Sequence, residues 1–238
     1  MTLLTRPQKV YVVCAAIFLT ALVIAEATAG KFFTAFDLPR AVTILGERFE
    51  SVVMTAGVLA FPVTFIVTDV VNEYFGRPGI RFLTYVGLAM VVFEFVILRV
   101  ALAVPTAPIS PVPAEAFQAV FGTTTRVIGG SLAAYVVGQL LDIALFHRLR
   151  QLTGGRHLWL RATGSTLGSQ FIDTLVVLSV AFWGQLSAGA ILAITLFNYT
   201  YKVGIAVAIT PLVYAAHAVI DRYLGREAEA LIEVAEDA

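Results

Sequence analysis

Apolar residues along this chain come in long unbroken blocks rather than in the short alternations of a half-buried strand. Six blocks, roughly 10–29, 51–73, 81–104, 118–146, 163–184 and 188–220, each reach the ~20 mostly apolar residues that a membrane-spanning helix needs. The sixth is long enough to bend, and Pro211 lies where a kink would fall. Between the third and fourth blocks, PTAPISPVPAE (105–115) carries four prolines and no cation, and TGGRHLW (153–159) is a glycine turn between the fourth and fifth. The closing stretch GREAEALIEVAEDA reads as a short solvated tail or helix. The pattern predicts an all-α polytopic membrane protein of six transmembrane helices, a single integral membrane domain over 1–238.

Polar residues interrupt these blocks in a regular way. In FPVTFIVTDVVNEYFG (61–76), Asp69, Asn72 and Glu73 fall on one side of a helix, with Gly76 placed to let the chain turn. An ionisable side chain at bilayer depth costs ~2.5–3.5 kcal/mol on insertion scales unless a partner or a wet cavity receives it. Such groups nevertheless recur: Glu26, Glu94 and Arg99, then Arg126, Gln139 and Asp142, then Gln170 and Asp173, then Asn198 and Lys202. Ser131, Tyr135, Gln139 and Asp142 form one helical stripe, and Ser165, Ser169 and Asp173 form another. GQLLD (138–142) and SQFID (169–173) each set a glutamine three residues before an aspartate, as two equivalent helices of an internal repeat would, although so short a match also arises by chance. Asp173 and Lys202 fall about halfway along their blocks, where they could pair with each other or hold a ligand. Asp69, Asn72, Glu73 and Asp142 lie nearer one end. A shared polar interior is the expectation.

Composition sharpens the class. Of 238 residues, 59% are hydrophobic and 13% charged, and mean hydropathy is +0.87, whereas soluble domains devote ~25% to charge. With both termini cytoplasmic, ten lysines and arginines lie inside against three outside (Lys31, Arg40 and Arg48), as the positive-inside rule requires. Zero formal net charge gives no footprint for nucleic acid, and one cysteine, Cys14, excludes an internal disulfide framework. There is no GxxxxGK[ST] loop, no HExxH and no GxSxG elbow, and His147, His157 and His217 suggest no obvious pairing. Neither an enzyme nor a resident cofactor or metal is expected. Six helices enclose little space, which leaves room for a homodimer.

Carboxylates, amides, hydroxyls and one lysine suit a neutral or zwitterionic small molecule rich in N–H and C=O groups. A carboxylate accepts two parallel hydrogen bonds from a ring N–H and an adjacent amino group, as a guanine-like edge presents them. Phe146, Phe171, Trp183, Phe197, Tyr199 and Tyr201 could stack on a flat base or could simply pack.

TDVVNEYFGRPGIR (68–81), RVIGGSLAAYVVGQLLDIALFHRLR (126–150), GRHLWLRATGSTLGSQFIDTLVVLSVAFWG (155–184) and YKVGIAVAITPLVY (201–214) together resemble the queuosine precursor transporters, a vitamin-uptake-transporter-like family. The resemblance spans about residues 15–220, and its D-x-x-N-E-x-x-G and W-L-R-x-x-x-S-T motifs occur in the family's order. It implies a six-helix protein of the bacterial inner membrane that imports 7-deazaguanine bases. These are 7-cyano-7-deazaguanine and, with it, the 7-aminomethyl form, salvaged for tRNA modification. The positions it implies for substrate are Asp69, Asn72, Glu73, Arg126, Gln139, Asp142, Ser165, Gln170, Asp173 and Lys202, with Trp159 and Arg161 beside them; Asn198 joins them from its place one turn before Lys202. Pro78 and Gly79 depart from the charged residues expected in that loop. A secondary transporter or facilitator is the expectation, with ligand entering past Asp173, Gln170 and Lys202 and leaving past Asp69, Glu73 and Asp142. A substrate-binding subunit of an ATP-driven importer, and an intramembrane enzyme, are the alternatives.

Overall fold

The computed structural model describes the backbone of residues 4–152 and 158–236, and side chains over 4–137 and 170–235. Helix α1 (Arg6–Thr28) is followed by a β-hairpin, β1 (Phe32–Ile44) and β2 (Glu47–Thr55), and by one 3₁₀ turn (Ala56–Ala60). Then come α2 (Phe61–Ala103), α3 (Ala114–Leu152), α4 (Leu158–Phe182), α5 (Ala188–Ala208), α6 (Thr210–Leu224) and α7 (Arg226–Glu236). Among the described residues, four stretches are long and apolar enough to cross a membrane: Arg6–Thr28, Ala56–Ala103, Ala114–Val137 and Ala188–Ala208. The protein is therefore a mostly helical membrane protein.

Two element boundaries differ from the sequence reading. Residues 51–55, expected as the start of the second span, lie in β2, antiparallel to β1 with Phe32 opposite Thr55 and Ile44 opposite Glu47. An apolar run such as SVVMT has no period that separates a buried strand from a helix. The hairpin turns at Leu45 and Gly46, both with positive φ (49° and 85°), the combination a two-residue type I′ turn requires. The sixth expected span is two helices. Pro211, at the start of α6, cannot donate a backbone bond, and α5 gives way to α6 at the buried Ile209.

At ~1.5 Å per residue the 48 residues of Ala56–Ala103 would reach roughly 70 Å if straight, over twice a ~30 Å hydrocarbon layer. The chain instead breaks at Gly76 (φ 60°, ψ −166°), separating arms 61–75 and 77–103, where the sequence expects a turn. Gly76 has a second reason to lack a side chain. A Cβ there would lie 2.9 Å from the carbonyl oxygen of Ala235 in α7.

The chain divides into two compact units, each with its own core. One comprises residues 1–27, 57–94 and 202–238. Its core joins Val10 and Cys14 of α1, Val67, Val70, Val71, Tyr74 and Leu83 of α2, Leu224 of α6 and Ala228 of α7. Helix α1 runs parallel to the second arm of α2: the Tyr11 hydroxyl donates to the Gly79 carbonyl (2.9 Å), and Phe18 and Leu22 close on Gly87. Helix α7 is thus not only a solvated tail, since Ala228 is buried and Leu231 and Ile232 pack on this core.

The other unit comprises residues 28–56 and 95–201. Val127 of α3, Leu178, Ala181 and Phe182 of α4, and Ile191 and Ile194 of α5 form its core, with Phe32 and Val53 of the hairpin packed against it. Gly130 lets α3 approach the backbone of α4, because a Cβ there would meet the Val177 carbonyl oxygen at 2.7 Å.

Gly76→Ala forces a side chain into a left-handed conformation and against Ala235, so it is expected to cost ~1–3 kcal/mol. Thermal unfolding in detergent should show a clear fall in Tm for this variant. Gly46→Ala, with nothing within 4 Å, should show a smaller fall; equal effects would contradict the crowding by α7.

Candidate functional site

The first unit holds a cavity of about 500 Å³ within the range typical of small-molecule sites. The first arm of α2 supplies Phe65, Asp69, Glu73 and Tyr74, which succeed one another at helical spacing along one face. Helix α6 supplies Thr210, Val213, Tyr214, His217 and Asp221, again one stripe. Ala206 of α5 and Ile232 of α7 complete the wall. Of the stripe expected from FPVTFIVTDVVNEYFG, Asp69 and Glu73 line this cavity, while Asn72 is exposed and outside the lining.

A hydrogen-bonded chain crosses this cavity between the two helices. The Tyr74 hydroxyl donates to Asp221 Oδ1 at 2.6 Å, and its oxygen lies 3.3 Å from both the Nδ1 and the backbone carbonyl oxygen of His217. His217 Nε2 lies 3.1 Å from Asp69 Oδ2. The Tyr74 and His217 rings stack with centroids 5.4 Å apart. Tyr74 is only 1% exposed, so its hydroxyl must find a partner inside the protein, and Asp221 provides a charge-assisted one. The Asp69 side chain is 53% exposed and that of His217 19%, so both meet the cavity. Tyr74 and Asp221 escaped the sequence reading, and His217, which suggested no pairing there, lies against Asp69. Asp69 precedes His217 by 148 residues, a separation at which no local spacing signals a partner.

Lys202 lies at the α5 end of the same unit with its Nζ 5.1 Å from the Phe61 ring centroid, and Phe61 in turn contacts Phe65 of the cavity wall. Glu26 and Glu94 also belong to this unit, on the α1 and α2 helices that run in parallel.

The remaining expected residues belong to the second unit. Arg126 is exposed and donates through Nη2 to the Trp183 carbonyl (2.9 Å). Asn198 is 2% exposed and commits its whole amide to Thr55 of β2: Nδ2 donates to Thr55 Oγ1 (3.1 Å), and Oδ1 accepts from the Thr55 N–H (3.2 Å). Gln170 is exposed and Asp173 half-buried on α4. Phe171 meets Tyr199 edge-on at 5.6 Å. Gln139, Asp142 and Ser165, with Trp159 and Arg161, lie outside the residues whose side chains are described. A larger space of about 790 Å³ occurs along the hairpin. It is bordered by the Arg48–Glu50 pair at 3.2 Å, whose side chains are 71% and 76% exposed, and so screened an ion pair organises little.

Residues 55–216 match the family model described as putative vitamin uptake transporter. The chain is 33% identical to the "Probable queuosine precursor transporter" of Bacillus subtilis (strain 168) over 70% of this chain and 72% of that protein. It is 32% identical to the "Queuosine precursor transporter" of Escherichia coli (strain K12) over 64% of this chain and 67% of that protein. A "Probable queuosine precursor transporter" of Haemophilus influenzae is 33% identical over 62% and 60% respectively. No solved structure matches the chain. These relatives are named as transporters, and the first arm of α2, which supplies the cavity's acids Asp69 and Glu73, lies inside the matched segment.

Tyr74→Phe removes a hydrogen bond to a carboxylate and leaves Asp221 short of a donor, a loss of ~1.5–3 kcal/mol. Asn198→Ala strands the buried Thr55 N–H and hydroxyl at a cost of ~1–3 kcal/mol. Both should lower Tm in detergent, and an unchanged Tm for either would show that its bonds do not hold the fold.

Proposed function

Because the chain belongs to the putative vitamin uptake transporter family, in company with the queuosine precursor transporters, we propose that it imports queuosine precursor bases across the bacterial inner membrane. The reading is of a secondary transporter or facilitator for 7-cyano-7-deazaguanine, with the 7-aminomethyl form as a second substrate. Its apolar stretches would make six passes, the long α2 region contributing two about Gly76, with both termini cytoplasmic. Ten cations on the inner loops and ends support that orientation.

The observation that carries the reading is the cavity between α2 and α6 with its acids Asp69 and Glu73. A deazaguanine presents a ring N–H beside an exocyclic amino group, and a carboxylate receives the two as parallel hydrogen bonds. Asp69 or Glu73 would take that edge, with Asn72 at the rim, and Phe65 and Tyr214 would offer faces to the flat rings. The remaining expected positions, Arg126, Gln139, Asp142, Ser165, Gln170, Asp173, Asn198 and Lys202, would serve the route or its framework. No phosphate-cradling loop occurs in the chain, so transport energy would come from a gradient or from metabolic trapping of the base.

Uptake of labelled 7-cyano-7-deazaguanine by cells lacking their own carrier tests this. The wild type should raise uptake well above background. Asp69→Asn and Glu73→Gln should each lower it by about tenfold or more, as loss of a charge-assisted hydrogen bond of ~1.5–3 kcal/mol implies. Uptake by the purified chain alone in liposomes would exclude an obligatory ATPase partner. Background-level uptake by a well-expressed wild type would contradict import.

A further inference from the structure

The cavity between α2 and α6 is unbalanced in charge. Three carboxylates line it, those of Asp69 and Glu73 on α2 and of Asp221 on α6, and among the described residues no lysine or arginine does. His217 is the single basic group of that wall, so acids outnumber cations there whichever form the imidazole takes. Helices α5 and α7 bring only Ala206 and Ile232. Lys202 stands a helical turn before Ala206, but its Nζ lies over the Phe61 ring. Arg77 and Arg222, next along α2 and α6, are exposed and outside the lining. The three acids are not equally engaged. Asp221 accepts from Tyr74 at 2.6 Å, and Asp69 lies 3.1 Å from His217. Glu73 has no hydrogen bond or ion pair among the described residues, with Arg77 or any other.

We propose that this cavity selects a ligand carrying a positive charge, and that Glu73 is the specificity-determining residue that receives it. The inference rests on the import reading above, and it ranks the two bases named there: the 7-aminomethyl form is held more tightly than the 7-cyano form. An aliphatic amine is protonated at pH 7, as lysine is, whereas a nitrile is neutral. In the open cavity water screens the carboxylates. When the cavity closes on a ligand that water leaves, and an acid without a counter-charge becomes costly to bury. A neutral base meets one carboxylate with its N–H edge and leaves the excess charge in place. An ammonium cancels one charge and brings charge-assisted hydrogen bonds. Asp69 and Glu73 line the cavity one helical turn apart, ~6 Å along the axis. A fused two-ring base can therefore set its N–H edge on Asp69, which His217 steadies, while its amine arm reaches Glu73.

Calorimetric binding of three bases to the purified protein in lipid nanodiscs at pH 7 tests this. The bases are the 7-aminomethyl form, the 7-cyano form and a 7-hydroxymethyl analogue, which keeps the size of the arm and loses its charge. The aminomethyl form should bind about tenfold or more tighter than either neutral base. In Glu73→Gln the ratio of aminomethyl to hydroxymethyl affinity, taken on whatever binding remains, should fall toward one. Glu73→Asp keeps the charge and should keep the preference. The comparison of three ligands on the wild type stands whether or not a variant folds. Equal affinity for the aminomethyl and hydroxymethyl bases, or tighter binding of the cyano form, overturns the charge selection and leaves import standing. An unchanged ratio in folded Glu73→Gln overturns the assignment to Glu73. Failure of all three bases to bind defeats the import reading and this inference with it.

Discussion

A charged side chain inside a hydrocarbon layer must have either a partner or water, and this constraint organises the protein more than any other. The apolar blocks supply the spans and need no explanation beyond the bilayer. What needs explaining is the acids that interrupt them, and the first unit answers for three of its own at once. Asp69 and Asp221 are joined through His217 and Tyr74, and Glu73 faces the same cavity. Neither the two aspartates nor Glu73 needs to lie bare against lipid.

The backbone devices serve the same end. Gly76 breaks α2 two residues beyond Tyr74, which ends the acid-bearing arm beside the cavity, and its missing side chain makes room for α7. Pro211 starts α6, so that a fresh helix carries Thr210, Tyr214, His217 and Asp221 down one wall. Helix α7 then closes back over Gly76, with Ile232 in the cavity wall. In the second unit the polar side chains act as fasteners. Asn198 ties β2 to α5, and Arg126 caps the Trp183 carbonyl at the end of α4.

The membrane class was legible because block length and apolar composition are one-dimensional signals. So was the lining role of Asp69 and Glu73, since an i, i+4 pair on one helix face is written in the sequence itself. The turn at Gly76 and the bend at Pro211 were legible for the same reason: each depends on one residue's own backbone limits. The hairpin was hidden. Its turn places Leu45, not asparagine or aspartate, in a positive-φ position, and Pro39 and the irregular pairing between Asp37 and Val42 spoil the alternation that marks a strand. The histidine was hidden too, because its partners on α2 come close only after the chain has folded back across most of its length.

The account stands on the α2–α6 cavity being where the ligand sits. A structure solved with 7-cyano-7-deazaguanine present measures that directly. The account requires a flat ligand inside this cavity, its N–H edge against the carboxylate of Asp69 or Glu73. The same ligand bound elsewhere, with Asp69 still on His217 and only solvent between α2 and α6, would contradict it.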